Sequence, residues 1–525
     1  MTRQRRDRFA WAAVVAAMTM LMPGLGVASS APPFVTKTAP MLKATGGGEV
    51  QAIVSVGDEL PNGHEFQSVP DGISLMGSEG RAHAFVNHET TTVPFPYIEG
   101  SPEESLSDFR NSEVSELRLV ASGDHVGVRG ASFAIRSSAN YQRFCSNYLA
   151  TEAEDFERDL LFTNEESPDY VFRSGRAWRG PDTATDPDAE QAGLVVAYDP
   201  HRNKHRSIYG MGRHNHENSL AVPGYGHPVV LSGDDTFSAP ASQLYLYAAG
   251  SAKAVWNDDG HLWAFKSPQA NDYGDLEGSD DISGRFIRVP DRIARGDQDG
   301  LEEWSNANNV FQFIRIEDLA YDRNHDNVVY FADTGEPRAI PDPSTTRLMR
   351  GPDGTMGPYP NGRLFRMELG TRNPRRVKSL SILIDGDVRG AEGAGDLDLI
   401  HNPDNVETTA EGLLFQEDPG SQNQYPAGTG TTARIWHYSF TDESLKVVAR
   451  VDQALDPAAD SGEWESSGIV DASAYFGEGA FLVDVQAHSL ILETAPGPDV
   501  TGDGEPDWTF KREGGQLLLL RLPAE

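Results

Sequence analysis

Val328-Val329-Tyr330-Phe331-Ala332-Asp333, VVYFAD, is a short apolar run stopped by a carboxylate. The same construction returns at Ala84-Phe85-Val86-Asn87-His88-Glu89, Leu160-Leu161-Phe162-Thr163-Asn164-Glu165-Glu166, Val229-Val230-Leu231-Ser232-Gly233-Asp234-Asp235, Leu413-Leu414-Phe415-Gln416-Glu417-Asp418 and Ala480-Phe481-Leu482-Val483-Asp484. Short runs rich in Val, Ile, Leu, Phe and Tyr, bounded by turn formers, are strand signals. Most copies follow a second run that opens on a polar or acidic residue, at Asp71, Glu217, Glu317, Asn405 and Glu465, and several precede alternating strands such as Gln243–Tyr247, Arg363–Met367 and Arg434–Tyr438. One strand group repeated about six times at irregular spacing predicts an all-β fold, a β-propeller of about six blades with long loop insertions. A pair of β-sandwiches is the alternative. The segments 91–112, 133–159, 171–190, 267–308 and 337–360, rich in Pro, Gly, Asp and Ser, read as loops on the propeller faces.

The chain has 525 residues, a formal net charge of −35 and a sequence pI near 4.7. Such an acidic surplus argues against nucleic acid or an anionic membrane as partner and favours bound cations or a solvated surface. With Cys145 alone, no internal disulfide can form. Arg3, Arg5, Arg6 and Arg8 precede the uncharged run Phe9–Met22 and the small residues Val27–Ala31, the layout of an export signal over residues 1–30. The protein is therefore expected to be exported to the periplasm or beyond, with residues 31–525 as a single propeller domain. Arg5-Arg6 with Phe9 fits the twin-arginine route, and an ordinary signal fits the same residues. No later segment is long and apolar enough to span a bilayer.

In an antiparallel blade, the start of one strand and the end of its partner lie at the same edge, so the carboxylates of the two runs should face one mouth. Clustered like charges repel when partly desolvated, and cations are implied. Glu89, Glu165, Glu166, Glu217, Glu317 and Glu417 are the candidate metal ligands; Asp234, Asp235 and Asp333 fit strand caps as well as ligands. Carboxylate oxygens suit Ca²⁺, Mn²⁺ or Fe³⁺, and the scarcity of Cys argues against a zinc-thiolate site. Arg213 and Arg315 each precede a candidate glutamate and could hold phosphate oxygens bidentately, or pair with the neighbouring acids. His216 is a candidate acid, and His88, His214 and His488 are acids or supports. No Gly-x-Ser-x-Gly elbow and no Gly-rich loop ending in Lys-Ser or Lys-Thr occurs in the required context. Asp499–Asp507 alternates oxygen donors as a calcium loop does, but Phe510 stands at the closing position, so it is either a structural calcium loop or an acidic turn; Asp297–Glu302 is a weaker version.

Taken in order, Asn87-His88-Glu89, Thr163-Asn164-Glu165-Glu166, Gly212-Arg213-His214-Asn215-His216-Glu217, Ser232-Gly233-Asp234-Asp235, Arg315-Ile316-Glu317, Asp404-Asn405 with Gln416-Glu417-Asp418, and Val485-Gln486-Ala487-His488 resemble the PhoX-type alkaline phosphatases, secreted bacterial propellers that use calcium and iron. The resemblance covers most of the chain after the signal. It implies phosphomonoester hydrolysis by metal-assisted attack, Glu89, Glu217, Glu317 and Glu417 as metal ligands, and Arg315 on the substrate phosphate. This chain departs from the family in having Asn164 where a cysteine serving iron precedes the paired glutamates. It also has Ile316 and Asp318 where Pro and Gly are usual. Asparagine supplies no thiolate, which leaves calcium as the expected cofactor and puts iron in question. Three functions follow as expectations: an exported phosphatase of small phosphomonoesters, a non-catalytic calcium-binding propeller presenting its loops to a partner, or a lactonase-like or phosphodiesterase-like hydrolase working with one Ca²⁺.

Overall fold

Six strands, Pro70–Ser78, Phe144–Ala150, His216–Ala221, Ile316–Asp322, Pro403–Thr408 and Glu465–Asp471, are laid side by side in chain order, and the last packs on the first. They belong to a computed structural model that describes residues 32–236, 242–345, 347–388, 397–420, 425 and 431–523. The expected export signal lies outside these residues. Each of the six opens an antiparallel ladder that runs outward; the first passes from Pro70–Ser78 through Arg81–His88 and Glu113–Ser122 to His125–Ile135. Every one of the apolar runs ending in acid forms the second strand of its ladder.

The apolar side chains fill the gaps between successive ladders. Phe85, Val114 and Ile135 meet Phe144, Leu161 and Val196 in one gap, and Leu231, Leu246 and Phe265 meet Leu319, Phe331 and Phe365 in another. The gap between last and first is closed the same way, by Leu482, Leu517 and Leu519 against Ile73, Leu75 and Ala84. Phe313 touches Phe331 and Phe365 edge-on at ring-centre distances of 5.4 and 5.6 Å. Truncating such a fully buried ring costs about 3–5 kcal/mol. The ends of the described chain are tied together: Glu49–Ser55 is hydrogen-bonded to Thr509–Arg521, and Leu42–Ala44 to Leu445–Val451.

Two features depart from the sequence expectations. First, Phe144–Ala150, within the expected loop 133–159, is an innermost strand. Its sequence FCSNYLA carries little apolar signal, because Ser146 and Asn147 satisfy polar groups of neighbouring strands rather than filling a core. Second, the segment 267–308 supplies the strand Asp281–Arg288 and the helix Gln298–Ala307, N-capped by Asp297. Asp281–Arg288 pairs with Asn373–Asp385, which joins the third and fourth ladders into one continuous sheet of nine strands. At the segment read as either a calcium loop or an acidic turn, Asp499 and Asp507 accept hydrogen bonds from the amides of Gly502, Gly504, Val500 and Thr501, within the connection between Ala480–Pro496 and Thr509–Arg521.

Candidate metal centre

All six innermost strands carry their functional residue at the same end. Asp71, Cys145, Glu217, Glu317 and Asp404 are each the second residue of their strand, and Glu465 is the first of its own. A register shift follows at once in five of the ladders and two residues later in the sixth. A bulge leaves a residue out of the ladder and re-aims its side chain, and here it turns these side chains inward. Glycine makes the approach feasible: a Cβ on Gly72 would stand 2.3 Å from the Asn147 nitrogen, and Gly468, at φ +52°, faces the Asp71 carbonyl.

The residues converge on a pocket of about 550 Å³ lined by ten carboxylates, three arginines, His488 and Cys145. Three trios of donor atoms lie within 4.8 Å of one another: Asp71 with Glu89 and Cys145, Cys145 with Glu166 and Glu217, and Glu217 with Glu317 and Asp404. Cys145 and Glu217 each belong to two trios, so the three form one connected line. Burial, reinforced by the Asp71 carboxylate, pushes Glu89 up to about 8. Burial and then neighbouring carboxylates likewise raise Glu166, Glu217, Glu317 and Asp404 far above the usual range. Burial and then Asp71 raise the Cys145 thiol. In each case burial is the larger cause and neighbouring negative charge adds to it, opposed at Glu89, Glu166 and Glu317 by nearby Arg143, Arg315 or His488; bound cations would relieve both effects. The donor set fits metals: two trios combine sulfur with carboxylate oxygen, and the third is all oxygen.

The expectation that Asn164 deprives the site of a thiol is corrected by the ladder. Phe144 pairs with Glu165, which brings Cys145 alongside Asn164 from the neighbouring strand. The Asn164 amide donates to the Ser146 carbonyl (2.8 Å), as does Asn87 (3.2 Å), so both asparagines hold the bulge that aims the thiol. Ser146 Oγ in turn donates to Glu217 (2.8 Å).

Of the predicted site residues, the pocket brings together Glu89, Glu166, Glu217, Glu317 and Arg315. Glu165, Glu417, Arg213 and His216 are placed elsewhere. Side chains alternate along a strand, so Glu165, Asp234 and Glu417, which end their second strands, face away from the pocket while Glu166, Asp235 and Asp418, one residue on, line it. Glu165 accepts from the amides of Gln142 (2.9 Å) and Leu194 (3.2 Å) and from Arg173 at 2.7 Å. Glu417 accepts from the His401 amide (2.8 Å), from Arg434 at 2.7 Å and from Trp436 (2.9 Å). Asp333 holds the amides of Ile314, Arg315 and Gly335 in the same manner. These acids fix the loops that enter the innermost strands. Arg213 donates to Glu190 (3.0 Å) beside the Tyr209 ring. His216 is fully buried between Ser232 Oγ (2.8 Å) and the Gly212 carbonyl (3.2 Å), and burial pushes it down to about 3, so it stays neutral. The His214 ring lies against it at a tilt, its centre 3.5 Å away, and His88 is bonded to Ser68 and Ser115.

Residues the sequence reading left out of its site include Asp71, Asp404, Asp418, Glu465, Arg143 and Arg350, with Cys145. Aligning the innermost strand starts would have found Asp71, Asp404 and Glu465, each the first or second residue of an equivalent run. Arg315 is locked by two 2.6 Å bonds to Asp235. Arg143 lies 4.7 Å over the exposed Phe95 ring, its Nη1 3.2 Å from Asp169, while neither terminal nitrogen makes a hydrogen bond. Burial would lower His488, but Glu513 (3.1 Å) and Glu465 (3.5 Å) outweigh it and hold the ring protonated.

A ring of antiparallel ladders around an acidic pocket is thus the architecture. No family model matches the chain, and no curated protein matches it. Among solved structures it is similar to Pseudomonas fluorescens PhoX in complex with vanadate, a transition state analogue, with a TM-score of 0.61 at 15% identity over 93% of this chain and 97% of that one. At that identity the likeness is one of fold, and it extends over nearly the whole of both chains. A thermostable family-43 glycoside hydrolase is more distant, with a TM-score of 0.32 at 12% identity over 75% of this chain and 96% of its own.

Proposed function

We propose that residues 31–525 form a six-bladed β-propeller that acts outside the cytoplasm as a metal-dependent phosphatase of small phosphomonoesters. The blade count is supported by the closed succession of innermost strands and by the buried core in each gap between ladders. The observation that carries the chemistry is the connected line of donor trios sharing one pocket with Arg143, Arg315 and Arg350. The all-oxygen trio Glu217, Glu317 and Asp404 suits calcium, and the trios that include Cys145 suit a softer transition metal such as iron. When bound, such metals supply Lewis acidity toward phosphoryl oxygens and lower the pKa of water.

The protein's own residues do the rest. Arg315, held flat by Asp235, and Arg143, whose terminal nitrogens make no hydrogen bond although Nη1 is ion-paired with Asp169 at 3.2 Å, present planar donors suited to the equatorial oxygens of a phosphoryl group. Phe95, at the pocket rim, offers a surface for the leaving group. His488, protonated and facing the pocket, can pass a proton to the departing oxygen. The likeness to PhoX in fold supports the same assignment, and the arginine-rich start of the sequence supports export.

Turnover of p-nitrophenyl phosphate by protein loaded with calcium and iron tests the reading. Activity should depend on the metals and fall by about 10²-fold or more in Arg315→Ala and Glu217→Gln. A wild type that binds calcium yet turns over no phosphomonoester would instead establish a calcium-binding propeller without this activity.

A further inference from the structure

The strand Ala480–Pro496 carries two residues that the trios do not use, Gln486 in the pocket lining and Asp484 two residues before it. Asp484 and Gln486, two apart, lie on one face of it. Asp484 has no exposed surface, and neither carboxylate oxygen has a hydrogen-bond partner among the described residues. Gln486 is 1% exposed; its amide nitrogen reaches Glu89 at 3.4 Å, and its Oε1 is without a partner. Asp484 stands opposite Ser467 in the ladder, and Ser467 Oγ donates to Asp71 at 2.6 Å. Its charged neighbour is therefore another carboxylate, Asp71.

A buried carboxylate with no donor around it and a like charge beside it is costly. Protonation would remove the charge, but one proton cannot by itself satisfy both Asp484 oxygens and Gln486 Oε1. Three hard oxygen atoms of two adjacent side chains stand without partners, next to Asp71, in a place where positive charge would satisfy them all. We propose that Asp484 and Gln486, together with Asp71, hold a further hard divalent cation of the calcium class beneath the floor of the pocket, additional to those of the three trios. Carboxylate and amide oxygens are the donors that calcium takes, and Asp71 would join this ion to the trio it shares with Glu89 and Cys145. The inference rests on the reading of the pocket as a metal centre, and its test separates the two.

Protein stripped with chelator, reloaded with calcium and desalted is analysed for bound metal, wild type beside Asp484→Asn, which keeps the side chain's size and removes its charge. The variant should hold about one calcium fewer per chain. Crystals of the calcium-loaded wild type, measured at long wavelength, should show an anomalous peak between Asp484 and Gln486, a readout that does not depend on the variant folding. Equal calcium content in the two proteins, or a peak without anomalous signal that marks a water, would overturn the proposal while leaving the trios standing. A wild type that takes up no calcium at all would overturn both.

Discussion

Replacing Glu89 by Gln in the metal-stripped protein isolates one charge of the centre. Burial, helped by Asp71, lifts the Glu89 carboxyl from 4.5 to about 8. The folded state therefore binds this proton more tightly than the unfolded chain does. The stabilisation is complete below the unfolded value near 4.5 and is lost as pH rises through about 8. At roughly 1.4 kcal/mol per unit, a rise of about 3.5 units sets a ceiling of about 5 kcal/mol lost between pH 4.5 and 8. Gln cannot ionise, so Glu89→Gln should be flatter with pH by several kcal/mol, and relief of Asp71 and Glu166 acts in the same direction. Urea unfolding of chelator-treated protein at pH 5 and pH 8.5 measures both slopes. Calcium should invert the trend in the wild type, because its ligands bind it deprotonated and its stabilisation grows as pH rises. Equal pH slopes in the two proteins, or a stripped wild type that gains stability with pH, would refute the reasoning.

Cys145→Ser should keep oxygen-bound calcium but lose a bound transition metal and any thiolate-to-metal absorption, read by elemental analysis and the visible spectrum. Glu417→Gln leaves the guanidinium of Arg434, 1% exposed, without its carboxylate and should lower stability by about 3–5 kcal/mol in urea unfolding. Asp418→Asn, one residue on and facing the pocket, should change stability by less than about 1 kcal/mol and alter metal uptake instead. If the phosphatase reading is right, Phe95→Ala should raise KM for aryl phosphates about 3–10-fold with little change in kcat, measured against a small alkyl phosphate.

The ladders were legible because their second strands pack into apolar gaps, so VVYFAD and its equivalents announce themselves by hydrophobicity. The strand Phe144–Ala150 went unread for the converse reason: it sits where polar side chains bond to one another, and it carries the one thiol. At the paired acids, the residue that lines the pocket was legible to within one position. Paired acids such as Glu165-Glu166 and Glu417-Asp418 mark the right place, but composition does not say which member faces inward. Strand alternation decides, giving the first to the backbone amides and Arg173 or Arg434 and the second to the pocket. Arg213 illustrates the limit of sequence proximity: it stands four residues before Glu217, yet its guanidinium is spent on Glu190.

The pairing of Glu49–Ser55 with Thr509–Arg521 has a consequence for how the molecule comes into being. Val50 meets Leu520, so that sheet stays incomplete until almost all of the chain is available. Contacts of such long sequence separation form slowly, because the entropy of bringing distant segments together comes before the contact that rewards it. The line of candidate metal ligands spans the first ladder to the fifth, and the sixth ladder, which that joining completes, closes the ring beside its first member Asp71. Ions that bind across the seam between Asp71 and Asp484 would then act as a latch, holding shut the junction that folding closes last.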